Sequence, residues 1–70
     1  MKEDEFRALL AIQGADLRVT YTEPDNPHAR EYRFLAIAVD KNTMQPIRYA
    51  VGKSYNQAVK AIIKAYYADT

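Results

Sequence analysis

Gly52, Lys53 and Ser54 stand together in "AVGKSYNQAVK", residues 50–60, and the same trio closes the phosphate loop of nucleotide-binding proteins. That loop works because several backbone N–H groups converge on the phosphates, so it needs a second glycine five residues before the first member of the trio. Here that position is Ile47, and the chain has only 2 glycines, Gly14 and Gly52. No nucleoside-triphosphate cradle can be built. The chain has no cysteine and one histidine, His28, which excludes disulfides and thiolate zinc sites and leaves only a weakly specified carboxylate site for any metal. The expectation is no cofactor, no metal ion, no catalytic residue and no small-molecule substrate.

Seventy residues make one domain, residues 1–70, with a modest core and no room for a buried multistep active site. A noncatalytic role follows as the expectation. No stretch is apolar enough to span a membrane, and acids at Glu3, Asp4 and Glu5 are unlike a secretory signal. We therefore expect no membrane partner and an intracellular location, in nucleus or cytoplasm. The net charge is +1, but it is unevenly distributed. Residues 1–40 carry eight acids against five bases, whereas residues 41–70 carry Asp69 against Lys41, Arg48, Lys53, Lys60 and Lys64. One end of the fold should present a positive surface that attracts polyanions or simply faces solvent.

The elements that position these residues can be read from periodicity. "KEDEFRALLAIQG" predicts a first helix with acids in its first turn, Phe6, Leu9, Leu10 and Gln13 on one face, and Gly14 as the stop. Asp4, Arg7, Ala8 and Ala11 would face outward. "LRVTYT", residues 17–22, alternates as a half-buried strand, and "EPDNPH" after it is a loop. "AREYRFLAIAVD" predicts a longer second strand, with Tyr32, Phe34, Ala36 and Ala38 on one face and Leu35, Ile37 and Val39 on the other. "PIRYAV" gives a third, short strand opening on Pro46. From Ser54, a helix cap, the period becomes 3.6: Tyr55, Ala58, Val59, Ile62, Ile63 and Tyr66 form an apolar face, and Lys53, Gln57, Lys60 and Lys64 a polar stripe. The order α-β-β-β-α predicts an α+β fold, a three-stranded antiparallel sheet with two helices packed on one face.

This order and two local stretches resemble the double-stranded RNA-binding domain family over nearly the whole chain. "PHAREYRF", residues 27–34, is similar to the family's loop-to-strand signature, with Tyr32 at its core aromatic position. "AVGKSYNQAVKAIIKAY" is similar to its last motif, G-x-G-x-S-K-K-x-A-K followed by an alanine-rich helix, with Gly52, Ser54 and Ala58 in register. Within the family, "LLAIQGADLRVTY" and "QPIRYAVGKS" look most like the C-terminal domains of ribonuclease III and Dicer-type enzymes. The resemblance implies a noncatalytic RNA-binding module of a larger RNA-processing protein.

Duplex RNA hides its base edges in a deep, narrow major groove, so such domains read shape, touching two minor grooves and the phosphates between them. The resemblance implies that the first helix enters one minor groove through Arg7, Ala8 and Ala11. Pro27 and His28, in the loop between strands 1 and 2, would meet the next. Lys53, Ser54, Asn56 and Lys60 at the start of the second helix would bridge the phosphates. Tyr55 and Asn56 stand where the family carries a lysine pair, and Val59 at its third lysine, so weaker binding is implied than for a full motif. Arg7 and Ala8 likewise replace the Gln and Glu often used on the first helix.

Plainer roles exist for the same residues. His28 can be an ordinary exposed side chain, the lysine stripe a solvated face, and Ser54 only a cap. Tyr21, Tyr32 and Tyr66 fall on apolar faces, as core residues rather than base-stacking platforms, while Tyr55 points inward by helix period and outward by motif. Two other functions compete. A degenerate member of the family would dock a second copy or another protein, which the apolar Leu35, Ile37 and Val39 face favours. A duplex-DNA binder would read with Arg18, Arg33 and Arg48 on the outer sheet face.

Overall fold

The computed structural model describes residues 1–22 and 33–68. The elements follow as α1 (Glu3–Ile12), β1 (Ala15–Tyr21), β2 (Phe34–Asp40), β3 (Pro46–Gly52) and α2 (Tyr55–Tyr67). This is the expected α-β-β-β-α order. The strands form one antiparallel sheet in the order β1-β2-β3, so that strands adjacent in sequence pair directly.

Register decides which residues meet the helices. Leu17 lies opposite Ala38 and Val19 opposite Ala36 between β1 and β2, and Ala36 lies opposite Ala50 between β2 and β3. The sheet thus offers a floor rich in alanine, and the bulk filling the space above it comes from the helices. Phe6 and Leu10 of α1 and Ile62 of α2 are the largest fully buried side chains, joined by Leu17, Ala15, Ala36, Ala38 and Ala58 in one cluster. Each large apolar chain so buried stabilises the fold by roughly 1.5–3 kcal/mol. Phe6 also sets its ring edge-on against Tyr66 and Tyr67, at centroid distances of 5.4 and 6.2 Å, which fixes α1 beside α2. The Tyr66 hydroxyl donates to the Gln13 side-chain oxygen just past the end of α1.

The turns carry their own signatures. Gly14 ends α1 at φ +76°, and its carbonyl accepts the Lys41 N–H at 2.9 Å, joining this turn to the β2–β3 turn. There the Asp40 carboxylate accepts the N–H groups of Asn42 and Thr43 at 2.8 and 3.2 Å.

Four details differ from the periodic reading. Leu9 is 39% exposed, so α1 buries a stripe of Phe6 and Leu10 alone. Tyr21 is 53% exposed and leans edge-on against Phe34 instead of entering the core. Arg48 lies opposite Ala38, which places it on the helix side of the sheet and leaves the outer face without it. A register shift between Ala38 and Val39 leaves Ile47 as the unpaired extra residue near the start of β3. Tyr32 lies outside the described residues.

Candidate nucleic-acid interface

The junction from β3 into α2 is set by contact between backbones. Gly52 is buried, and a Cβ built there would lie 2.3 Å from the Ala58 nitrogen and 2.7 Å from the Gln57 carbonyl carbon. Any side chain would push β3 and α2 apart. Close approach rather than an unusual turn dihedral therefore explains the glycine, since Gly14 is the positive-φ glycine of the chain.

Ser54 caps α2 from an extended conformation, its Oγ accepting the Gln57 N–H at 3.2 Å. Gln57 returns the bond, its Oε1 accepting the Lys53 N–H at 3.2 Å. This reciprocal pair is a capping box shifted by one residue, and it fixes the backbone that carries Lys53. Lys53, Asn56, Lys60 and Lys64 are all exposed along α2. Val59, at the position of the family's third lysine, is buried, and Lys60 is the exposed residue beside it.

Tyr55 resolves toward α1. Its hydroxyl donates to Glu3 Oε2 at 2.8 Å, and its ring lies edge-on to Phe34. The same Glu3 oxygen accepts from Arg7 Nε at 2.8 Å, one helical turn along, while Arg7 Nη1 donates to the Leu17 carbonyl at 2.7 Å. The hydrogen bond from Arg7, then that from Tyr55, holds the Glu3 carboxyl below the usual glutamate range, and the bond to Glu3 raises Arg7. The start of α1 is thereby tied to the start of α2 and to β1.

The expected contact residues fall in three groups. Ser54, Lys53, Asn56 and Lys60 share the exposed start of α2. Ala8 and Ala11 are exposed on α1 in line with Asp4, while Arg7 is half-buried with two of its donor groups bonded inside the fold. Pro27 and His28 lie outside the described residues.

Sequence reasoning missed two features of this surface. Leu9 and Ile12, the latter 82% exposed, add an apolar stripe beside Ala8 and Ala11. Lys2 comes to lie across a groove from Asn56 and Lys60, a contact between distant segments that no local pattern announces. Among the described residues no group of three His, Asp or Glu side chains is placed to hold a metal, and no helix is long and apolar enough to cross a membrane. Comparison with protein-family models, with curated proteins and with solved structures finds no match to this chain.

Proposed function

We propose that this chain binds double-stranded RNA through shape and phosphate contacts, with little sequence preference. It would act inside the cell as the noncatalytic RNA-binding module of a larger RNA-processing protein, such as a ribonuclease III-type enzyme. The observation that carries the reading is the start of α2. A glycine-enforced junction and a reciprocal cap fix the helix end, and Lys53, Asn56 and Lys60 stand exposed around it, a rigid cationic edge suited to a phosphate backbone. The fold order and the resemblance of "AVGKSYNQAVK" to a duplex-RNA motif support the choice of nucleic acid.

The test is titration of the chain against a labelled duplex RNA, the matching duplex DNA and single-stranded RNA, at low and physiological salt. Duplex RNA is expected to bind best, with a steep loss on adding salt. Equal binding to all three, or none, would remove the proposal.

A second reading, docking of a protein partner or a second copy, is favoured by the sheet's outer face. Leu35 lies opposite Val51 and Ile37 opposite Tyr49 there, with Tyr49 71% and Val51 44% exposed. An antiparallel sheet facing only water would carry polar residues at such positions. A dimer in size-exclusion chromatography that ignores RNA would select this reading.

A further inference from the structure

Lys2 immediately precedes α1, and with Met1 and Glu3 it forms one wall of a groove whose other wall is Asn56, Val59, Lys60 and Ile63 of α2. Val59 is buried and Ile63 half-buried, so the floor is apolar, while Lys2, Asn56 and Lys60 are exposed around it. Glu3 is the acid in this wall. Its charge is matched by the bonded Arg7 and its carboxyl is held by the Tyr55 hydroxyl, so it does not cancel either lysine. Asp4 and Glu5 belong to the same turn of α1 but do not line the groove.

The two walls come from elements locked together. The Tyr55–Glu3 bond and the packing of Phe6 on Tyr66 and Tyr67 fix α1 against α2, and with them the backbone positions that carry Lys2 and Lys60. Charge missing from α2 at Tyr55, Asn56 and Val59 is thus partly restored from the other helix.

Resting on the duplex-RNA reading above, we propose that this groove receives a phosphodiester of the RNA backbone, with Lys2 and Lys60 as paired cationic contacts and Asn56 as a hydrogen-bond donor. Lys2 thereby becomes a contact residue outside the α2 motif. A phosphate oxygen accepts from both ammonium groups, and the apolar floor covers the carbon face of the adjoining ribose.

The test compares the intact chain with its Lys2→Ala, Lys60→Ala and Lys64→Ala variants, all at exposed positions. Binding to a labelled RNA duplex is followed across a salt series. Each neutralised phosphate contributes about 0.9 to the slope of log K against log salt, by the value for B-form duplexes. Lys2→Ala and Lys60→Ala should each lower the slope by about that amount, Lys2→Arg should keep it, and Lys64→Ala, outside the groove, should change it little. In a parallel titration followed by amide NMR, Lys2, Asn56 and Lys60 should shift together on adding duplex. If the intact chain binds duplex RNA but Lys2→Ala keeps the full slope, the groove proposal fails and the duplex-RNA reading stands. If the intact chain does not bind duplex RNA, both fall.

Discussion

The Tyr55 hydroxyl lies 2.8 Å from Glu3 Oε2 and joins the first turns of two helices that are 52 residues apart in the chain. Glu3 is also the partner of Arg7, so one carboxylate holds three elements in register. At the position where the resembled motif carries a lysine for phosphate, this chain has a residue that binds its own other helix. Removing the hydroxyl with Tyr55→Phe should lower stability by about 0.5–1 kcal/mol, the range for a solvent-accessible hydrogen bond to a charged group. In a double-mutant cycle with Glu3→Ala, measured by urea unfolding, the two losses should be less than additive. Full additivity would show that the bond contributes nothing in solution.

The same carboxylate predicts a pH dependence. Arg7 and then Tyr55 depress the folded pKa of Glu3 below its ordinary 4.5. The unfolded chain therefore binds more protons than the folded chain in this range, and stability rises with pH. The contribution is complete above the ordinary value and is lost as pH falls through the lowered one. Urea midpoints between acid and neutral pH should show a shallower acid-side loss for Glu3→Gln than for the unaltered chain. Parallel curves would place the acid sensitivity elsewhere.

Much of the fold is legible before any coordinates. The change of period at Ser54, the acids at the start of α1 and the turn residues between strands are local signals, and each describes its own element. What stays hidden depends on contacts between segments. Leu9 matches the helical period as well as Leu10 does, yet only Phe6 and Leu10 of α1 join the buried cluster, and which of the two leucines does so is set by where the helix docks on the sheet. Arg48 faces the helices because β3 pairs with β2 in unbroken register from Gly52–Phe34 to Arg48–Ala38, a long-range pairing that no local pattern announces. The direction of Tyr55 depends on where α1 docks, which nothing near Tyr55 encodes. The site is legible to the same degree: the cap and the lysines of α2 follow from pattern, while Lys2 enters only through docking.

The two glycines should respond differently to substitution because they serve different ends. Gly14 has open space around its missing side chain but a φ of +76°, so Gly14→Asn should be mild and Gly14→Ala should cost about 1 kcal/mol from backbone strain. Gly52 has no such dihedral constraint but meets backbone atoms at 2.3 to 2.8 Å. Both Gly52→Ala and Gly52→Asn should therefore destabilise by about 1–3 kcal/mol or more, with asparagine the worse. Thermal unfolding of the four variants checks the pattern. An asparagine tolerated at both positions would show that β3 and α2 separate easily.

Arg7 and Lys60 separate the holding of the fold from the holding of a ligand. Two of the Arg7 donor groups are engaged with Glu3 and the Leu17 carbonyl, and the side chain is half-buried, whereas Lys60 is exposed beside the groove. Arg7→Ala should lower stability by about 1–2 kcal/mol, because it breaks an ion pair that solvent partly screens and leaves the Leu17 carbonyl of the edge strand β1 without its donor. It should leave the salt slope of duplex binding nearly unchanged, provided binding is measured where the variant remains folded. Lys60→Ala should do the reverse, sparing the urea midpoint and flattening the slope. Measuring both quantities on both variants settles the division. An Arg7→Ala chain of normal stability with a slope reduced by about 0.9, one phosphate contact, would mean that Arg7 leaves Glu3 to meet the duplex and that α1 touches the backbone directly.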